Sequence, residues 1–147
     1  STNRVREVAN YFNAEMVICD KHRKRANEIA SMVVIGDVTG KDIVIIDDIC
    51  DTGGTLVKAA ALLKEKGART VRALITHPVL SGKAYENIES SVLEELVVCD
   101  TIPLKQESNK IKVLTVADLF AIAIRNAYEN KSITSLFVHS QLKARNQ

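Results

Sequence analysis

The chain has 147 residues, which is enough for one domain of ordinary size with a buried core. Its 20 basic and 18 acidic residues leave a formal charge of only +2, which gives no general affinity for nucleic acid or other polyanions. Three widely spaced cysteines without a Cys-x-x-Cys pair indicate neither a zinc site nor a disulfide framework, and they fit a reducing cytosol. The sequence contains no signal peptide and no apolar run of about 18 residues, so we expect a cytoplasmic protein that does not enter a membrane.

Strands and helices alternate along the first half of the chain. The pattern predicts a helix over residues 5–12, a short strand over 16–19 and, after a basic segment, a returning strand over 31–36. Residues 43–46 are apolar on both faces, which predicts a central buried strand. A helix follows over 55–66, and its leucines and alanines share one stripe that we expect in the core. The glycine after this helix is expected to cap it.

The second half continues the alternation. We predict strands over 70–76, 95–99 and 111–114, with a short helix within 82–90. Residues 115–118 resemble a capping box at the start of a last helix. We expect the apolar stripe of that helix to join the core; it comprises Val116, Leu119, Phe120, Ala123 and Ala127. The alternation predicts an α/β fold, with a parallel sheet covered by helices on both faces.

The run over residues 43–55 reads Ile-Val-Ile-Ile-Asp-Asp-Ile-Cys-Asp-Thr-Gly-Gly-Thr. Its order describes a strand, a polar loop at the carboxyl end of the strand, and a helix that begins at the loop. Gly53 and Gly54 let the backbone turn sharply and approach a ligand closely. The amides of Thr52 to Thr55, at the positive end of the helix dipole, suit a phosphate group, and both threonines add hydroxyl donors. We call residues 51–55 the phosphate loop.

Asp47, Asp48 and Asp51 supply the opposite chemistry. Carboxylates repel phosphate and accept hydrogen bonds from hydroxyls, so we expect at least one to face the diol of a sugar or a magnesium-bound ligand. Donors at one end and acceptors at the other fit a phosphorylated pentose better than they fit a plain turn. Neither the Gly-Lys-Ser/Thr of a P-loop nor a Gly-x-Gly-x-x-Gly dinucleotide loop is present. We call Asp47 and Asp48 the acidic pair.

The segment Asp-Asp-Ile-Cys-Asp-Thr-Gly-Gly-Thr resembles the phosphoribosyl diphosphate (PRPP) loop of type I phosphoribosyltransferases and of ribose-phosphate diphosphokinases. Residues 14–29, 76–82 and 132–138 resemble further segments of the diphosphokinases alone, in their C-terminal domain. The resemblance extends from about Arg4 to Val138 and implies a phosphoribosyltransferase-like fold, Rossmann-like in its parallel sheet. In that family the loop grips the 5-phosphate, and the acidic pair lies near the ribose hydroxyls.

The resemblance also implies site residues. Those for ribose 5-phosphate would be Arg23, Asp47, Asp48, Asp51, Thr52, Gly53, Gly54 and Thr55. Lys21 and Arg23 match a Lys-x-Arg stretch on a catalytic loop of the family, where fixed cations stabilise the charge that spreads over phosphoryl oxygens. The alternative for this basic stretch is a solvated loop or a nucleic-acid patch. His77 is expected to be a hydrogen-bonded turn histidine, and we assign it no role.

The implied reaction transfers the diphosphoryl group of ATP to the anomeric hydroxyl of ribose 5-phosphate, giving PRPP and AMP, with Mg²⁺ as cofactor and ATP as co-substrate. The resemblance places the metal ligands and most ATP contacts in an N-terminal domain upstream of residues 1–138, so we expect no metal ligand in this chain. Residues 139–147 form a polar tail. Without the upstream domain, we expect weak binding of ribose 5-phosphate and no turnover of ATP.

The family assembles as rings of dimers, so a homo-oligomer, dimer or hexamer, is expected for the full-length protein, with no nucleic-acid or membrane partner. Two alternatives stay open. One is a phosphoribosyltransferase that uses PRPP and a nucleobase. The other is a non-catalytic relative that regulates a PRPP synthetase by co-assembly.

Overall fold

The computed structural model describes residues 2–22 and 31–137. Its elements, in chain order, are α1 (Thr2–Phe12), β1 (Ile18–His22), β2 (Ser31–Ile35), β3 (Asp42–Cys50), α2 (Gly54–Glu65), β4 (Thr70–Pro78), α3 (Ala84–Glu89), β5 (Glu95–Cys99), β6 (Ile111–Leu114), α4 (Ala117–Tyr128) and a 3-10 turn (Thr134–Leu136). They divide into a larger unit, Glu15–Leu114, and a smaller unit, which joins Thr2–Ala14 to Thr115–Gln147.

A four-stranded parallel sheet in the order β3-β4-β5-β6 organises the larger unit. The predicted α/β fold with a parallel sheet flanked by helices is therefore confirmed. The prediction that the strand at residues 43–46 is central is wrong, because β3 pairs only with β4 among the described residues. Its Val44 and Ile49 are 48% and 54% exposed. Aliphatic residues on both faces do not indicate how many neighbours a strand has.

The hairpin of β1 and β2 forms a separate antiparallel sheet, in which Ile18 pairs with Ile35 and His22 with Ser31. The returning strand predicted at 31–36 is confirmed. The first strand extends three residues beyond the predicted end, through His22, so the segment that was read as the start of a basic loop belongs partly to β1.

One face of the parallel sheet forms the core of the larger unit. Along β4, Val71, Ala73 and Ile75 are buried and alternate with exposed residues, as the side-chain period of a strand requires. Helix α2 packs on β4, and its predicted stripe is confirmed, since Leu56, Ala60 and Leu63 are buried. Leu63 is 1% exposed, so replacing it with alanine would cost about 2–5 kcal/mol of stability.

The predicted glycine cap of α2 is confirmed in its geometry. Gly67 has a φ of 94°, and its amide donates to the Lys64 carbonyl at 3.0 Å. The Ala68 amide donates to the Leu63 carbonyl, also at 3.0 Å. These two bonds are the Schellman motif that closes a helix, and the left-handed φ explains why glycine stands there. The Gly67 carbonyl accepts from the Gly40 amide at 2.8 Å, which ties the helix end to the turn before β3.

The smaller unit contains α1, where a helix was predicted, and α4. Two predictions for α4 are wrong. The Thr115 hydroxyl accepts from the Ala117 amide at 3.2 Å, and Val116 occupies the N-cap position without a side-chain bond, so no capping box forms. No residue of α4 is buried, because a helical period aligns apolar residues on one face but supplies no surface to cover them. No helix in the described parts of the chain has the length and apolar character to span a membrane.

Candidate phosphate-binding site

The candidate site lies where β3 ends and α2 begins. Strand β3 extends through Cys50, and α2 starts at Gly54, so only residues 51–53 separate them. The acidic pair therefore belongs to the strand and not to the loop that was predicted after residue 46. The carboxyl ends of parallel strands are where α/β sheets bind ligands, and the phosphate loop lies at that edge.

The amino end of α2 has no side chain capping it. Gly53 is the N-cap residue, with a left-handed φ of 72°, and its carbonyl accepts the first helical bond from the Val57 amide at 3.0 Å. Among the hydrogen bonds of the described residues, none uses the amide of Thr52 or Gly54. Both amides lie at the positive end of the helix dipole, where backbone N–H groups attract anions. The arrangement can bind a phosphate.

Gly53 itself faces the inside of the fold. Its amide donates a hydrogen bond to the Cys50 side chain, so this amide of the phosphate loop is used internally. A Cβ at Gly53 would lie 3.6 Å from the Ala84 carbonyl oxygen, which is ordinary contact. The constraint at this position is therefore the left-handed backbone and not a lack of space.

Cys50 is a packed residue, as predicted, and is 4% exposed. Burial raises the pKa of its thiol, and the hydrogen bond from the Gly53 amide opposes that rise in part. The raised pKa keeps the thiol neutral and unreactive at neutral pH. All three cysteines, Cys19, Cys50 and Cys99, are free.

The acidic pair occupies consecutive positions of an extended strand. Successive Cβ atoms of a strand point to opposite faces, so Asp47 and Asp48 lie on different sides of the sheet. Asp47 is exposed, and its Oδ1 accepts from the Asp48 amide at 3.0 Å. No ion pair of the described residues involves Asp47, so its carboxylate stays open to a ligand donor.

Asp51 is exposed at the start of the phosphate loop and is held by the segment after β4. The Ser81 hydroxyl donates to its Oδ1, and the Ser81 amide donates to its backbone carbonyl at 3.1 Å. One residue earlier, the Leu80 amide donates to the Cys50 carbonyl at 3.1 Å. Within the described ranges, Asp51 forms no ion pair, so its second oxygen can accept from a hydroxyl of a ligand.

Helix α3 contributes a further contact to the loop. The Asn87 side-chain amide donates to the Thr52 carbonyl at 3.0 Å. Sequence reasoning did not find Ser81 or Asn87. Ser81 lies in a segment that was singled out only for its resemblance, and the contacts of the two residues span 30 and 35 positions, which no local periodicity reveals.

His77 near the end of β4 is hydrogen-bonded, as predicted, although in a strand and not in a turn. Its Nδ1 lies 2.9 Å from the Thr101 hydroxyl, which donates its proton to the Thr76 carbonyl at 2.9 Å. Because that hydroxyl has one proton, it accepts from His77, which assigns the ring proton to Nδ1. In the neutral ring, Nε2 is then an acceptor.

The basic residues expected at the site are only partly described. Lys21 lies in β1 and pairs with Met32 of β2, so its backbone is in a strand and not in a loop. Its side chain and the whole of Arg23 lie outside the described residues, and the catalytic pair stays a prediction. Within the described ranges, no group of three or more His, Cys, Asp or Glu side chains could hold a metal ion.

Comparison with known proteins shows the family of the chain. Residues 8–138 match the family described as the phosphoribosyl synthetase-associated domain. The chain is 56% identical over 135 residues to a ribose-phosphate pyrophosphokinase of Campylobacter jejuni, covering 92% of this chain and 44% of that protein. It is 47% identical over 136 residues to the enzyme of the same name in Porphyromonas gingivalis, with the same two coverages.

A crystal structure of phosphoribosylpyrophosphate synthetase from Mycobacterium smegmatis superposes with a TM-score of 0.73 at 34% identity, over 86% of this chain and 42% of that one. The chain therefore spans less than half the length of the relatives that it matches. The family match extends over most of the chain, and the identities lie far above the level at which only a fold is shared. The chain belongs to the phosphoribosyl synthetase-associated domain family.

Proposed function

We propose that this chain is the ribose-5-phosphate-binding half of a ribose-phosphate diphosphokinase, the part of the enzyme that corresponds to its C-terminal domain. The observation that carries the proposal is the amino end of α2, where the amides of Thr52 and Gly54 are not used in the described hydrogen bonds and no side chain caps the helix. These amides would bind the 5-phosphate, and helix termini of this kind favour anions.

The carboxylates next to the loop suit the other end of the same substrate. Asp51 is exposed, and one of its oxygens is fixed by Ser81, which leaves the other to accept from a ribose hydroxyl. Asp47 and Asp48 offer acceptors on the two faces of β3, and Thr52 and Thr55 add hydroxyl donors near the phosphate. A ligand that is anionic at one end and rich in hydroxyls at the other matches both sets of groups.

For the reaction, Lys21 and Arg23 would neutralise charge on the diphosphoryl group as it moves from ATP to the anomeric hydroxyl. Mg²⁺ would come with ATP. Oxygen ligands such as these carboxylates suit it, but the described residues hold no cluster that could bind it without the nucleotide. When bound, Mg²⁺ neutralises phosphate charge. We expect the remaining ATP contacts in the part of the full-length enzyme that corresponds to the portion of the relatives that this chain does not span.

The test is an assay of the protein in its full encoded length with Mg²⁺, ATP and ribose 5-phosphate. We expect release of AMP that depends on the sugar phosphate, and a loss of that release in Lys21→Ala and Arg23→Ala. Absence of AMP release by the unaltered protein would refute the proposed reaction.

Two further measurements separate the alternatives. A phosphoribosyltransferase would consume PRPP only when a nucleobase is added. A regulatory relative would have no turnover of its own and would co-purify with an active synthetase. We further propose that the protein acts in the cytoplasm and as a homo-oligomer, which fractionation and light scattering would check.

A further inference from the structure

The phosphate loop is held in place by two side chains that lie outside it. Ser81 contacts Asp51 twice, through its hydroxyl to the carboxylate and through its amide to the carbonyl. Asn87 donates to the Thr52 carbonyl from α3. Both residues are half-buried, and the side-chain bonds to the loop join positions that are 30 and 35 residues apart.

The turn that presents Ser81 is itself anchored in the core. Leu80 has a left-handed φ of 46°, and yet its side chain is only 2% exposed. A left-handed conformation costs a residue other than glycine about 1–2 kcal/mol, and strain of this kind persists only where the surroundings enforce it. Burial of Leu80 and its bond to the Cys50 carbonyl enforce it here, so Ser81 has a fixed position.

We infer that Ser81 is a positioning residue for the sugar-binding carboxylate of Asp51, with Asn87 holding the next peptide of the loop, and this inference rests on the proposed function. Ser81 occupies one oxygen of Asp51 and so fixes the rotamer that presents the other oxygen to a ribose hydroxyl. Asn87 fixes the peptide between Thr52 and Gly53, whose orientation sets where the neighbouring amides point. Neither side chain needs to touch the substrate.

The fixed geometry predicts a specific pattern of defects. Without the Ser81 hydroxyl, the Asp51 carboxylate must be ordered when the ligand binds, and the entropy of that ordering is subtracted from the affinity. We expect ribose 5-phosphate to bind about tenfold more weakly to Ser81→Ala, as for the loss of one charge-assisted hydrogen bond. Inorganic phosphate, which has no hydroxyls for Asp51, should bind Ser81→Ala as it binds the unaltered protein.

The experiment is a titration of the full-length protein with ribose 5-phosphate and with inorganic phosphate, followed by NMR or calorimetry. Ser81→Thr keeps the hydroxyl and should restore binding, whereas Ser81→Val has the same shape without it and should not. If Ser81→Ala does not fold, the comparison of Ser81→Thr with Ser81→Val still tests whether the hydroxyl is needed for binding. Ser91→Ala is the matched control. Its hydroxyl bonds to Ile88 and Leu93 at the far end of α3, so it loses stability without touching the loop.

A double-mutant cycle with Asp51→Asn distinguishes positioning from general destabilisation. If Ser81 acts through Asp51, Ser81→Ala has little further effect on ribose 5-phosphate binding once Asp51 is changed. Full additivity, or equal binding of the sugar by Ser81→Thr and Ser81→Val, would overturn the inference. Failure of the unaltered protein to bind ribose 5-phosphate would instead refute the proposed function.

Asn87 is tested by exchanging its donor for an acceptor. Asn87→Asp places a carboxylate oxygen against the Thr52 carbonyl, so we expect binding of inorganic phosphate and of ribose 5-phosphate to weaken together. A change at Asn87 that left phosphate binding intact would overturn its part in the inference.

Discussion

Acidic side chains lie at both ends of the parallel sheet, but their partners differ. At the amino end, the acids have basic partners: Asp42 accepts from Arg69, Glu94 pairs with Arg72 at 2.9 Å, and Glu95 pairs with Lys112 at 2.6 Å. At the carboxyl end, Asp47 and Asp51 form no ion pair among the described residues, and their carboxylates accept from a backbone amide and from the Ser81 hydroxyl.

The difference separates charges that connect strands from charges that can serve a ligand. An acid that already has a guanidinium or ammonium partner gives up a bond when it binds something else. An acid held only by neutral donors has no cationic partner to give up and keeps part of its hydrogen-bonding capacity. The lack of ion pairs at Asp47 and Asp51 in the described residues supports the proposal that a ligand binds at the carboxyl end of the sheet.

The largest expected effect is a loss of ribose 5-phosphate binding, and it should distinguish an acid at the carboxyl end from an acid at the amino end. Asp51→Ala should weaken ribose 5-phosphate binding about 100-fold, as for the loss of charge-assisted bonds to the sugar, with little change in stability. Asp42→Ala should lower the free energy of unfolding, because Arg69 and Thr70 lose their shared acceptor, and should leave binding unchanged. Calorimetric titration and urea unfolding of both variants would measure this. Equal loss of binding in the two variants would remove the distinction between the ends.

A smaller effect, on stability and phosphate binding, is expected when alanine replaces either of two glycines with left-handed backbones. Gly53 has a φ of 72° and Gly40 one of 69°, and alanine at either position should cost about 1–2 kcal/mol of stability. Only Gly53→Ala should also weaken binding of phosphate, since its peptide orients the amides at the start of α2. Gly40 lies in the turn before β3, where a Cβ would meet nothing within 4 Å. If Gly40→Ala impaired phosphate binding equally, the loop geometry would not be the cause.

The smallest expected effect is on the pH dependence of stability. Hydrogen bonds from Arg69 and Thr70 hold the pKa of the Asp42 carboxyl well below its usual range. A carboxyl whose folded pKa is depressed stabilises the fold at pH values above its unfolded pKa of about 3.9, and this contribution is lost as the pH falls through the folded pKa. Arg69→Met should raise the pKa of Asp42 and reduce that loss in acid.

An NMR titration of the Asp42 carboxyl, together with urea unfolding at neutral and acid pH, checks this prediction. The matched control is Lys131→Met, whose lysine pairs with Glu129 in the smaller unit. It should leave the titration of Asp42 as it is. An unchanged pKa of Asp42 in Arg69→Met would show that the guanidinium does not set it.

Local signals predicted much of the fold. Strands β5 and β6 have the predicted bounds, and α2 begins and ends within a residue of its prediction. These elements follow from side-chain periodicity and from the conformational freedom of Gly67, both of which depend on neighbours in the sequence. The place of β3 at the edge of the sheet that the described residues form was not predictable in this way, because it depends on which strands pair with it.

The candidate site shows the same contrast between features set by neighbours in the sequence and features set by distant residues. The phosphate loop was predicted from adjacent residues, and its position between β3 and α2 is as expected. The residues that hold it, Ser81 and Asn87, come from another part of the chain and were missed. The acidic pair was expected in a loop, whereas it continues the strand, since hydrogen bonding in the ladder carries β3 beyond the aliphatic run that ends at Ile46 to Cys50.

Because the acidic pair lies inside β3, the length of that strand determines which side of the sheet each carboxylate occupies. Deleting or inserting a single residue upstream of Asp47 would exchange the sides of the two carboxylates while leaving every amino acid type in place. In the proposed site, the ligand would then face the other carboxylate. We expect the number of residues between the start of β3 and the phosphate loop to tolerate less variation than the identity of the aliphatic side chains within it.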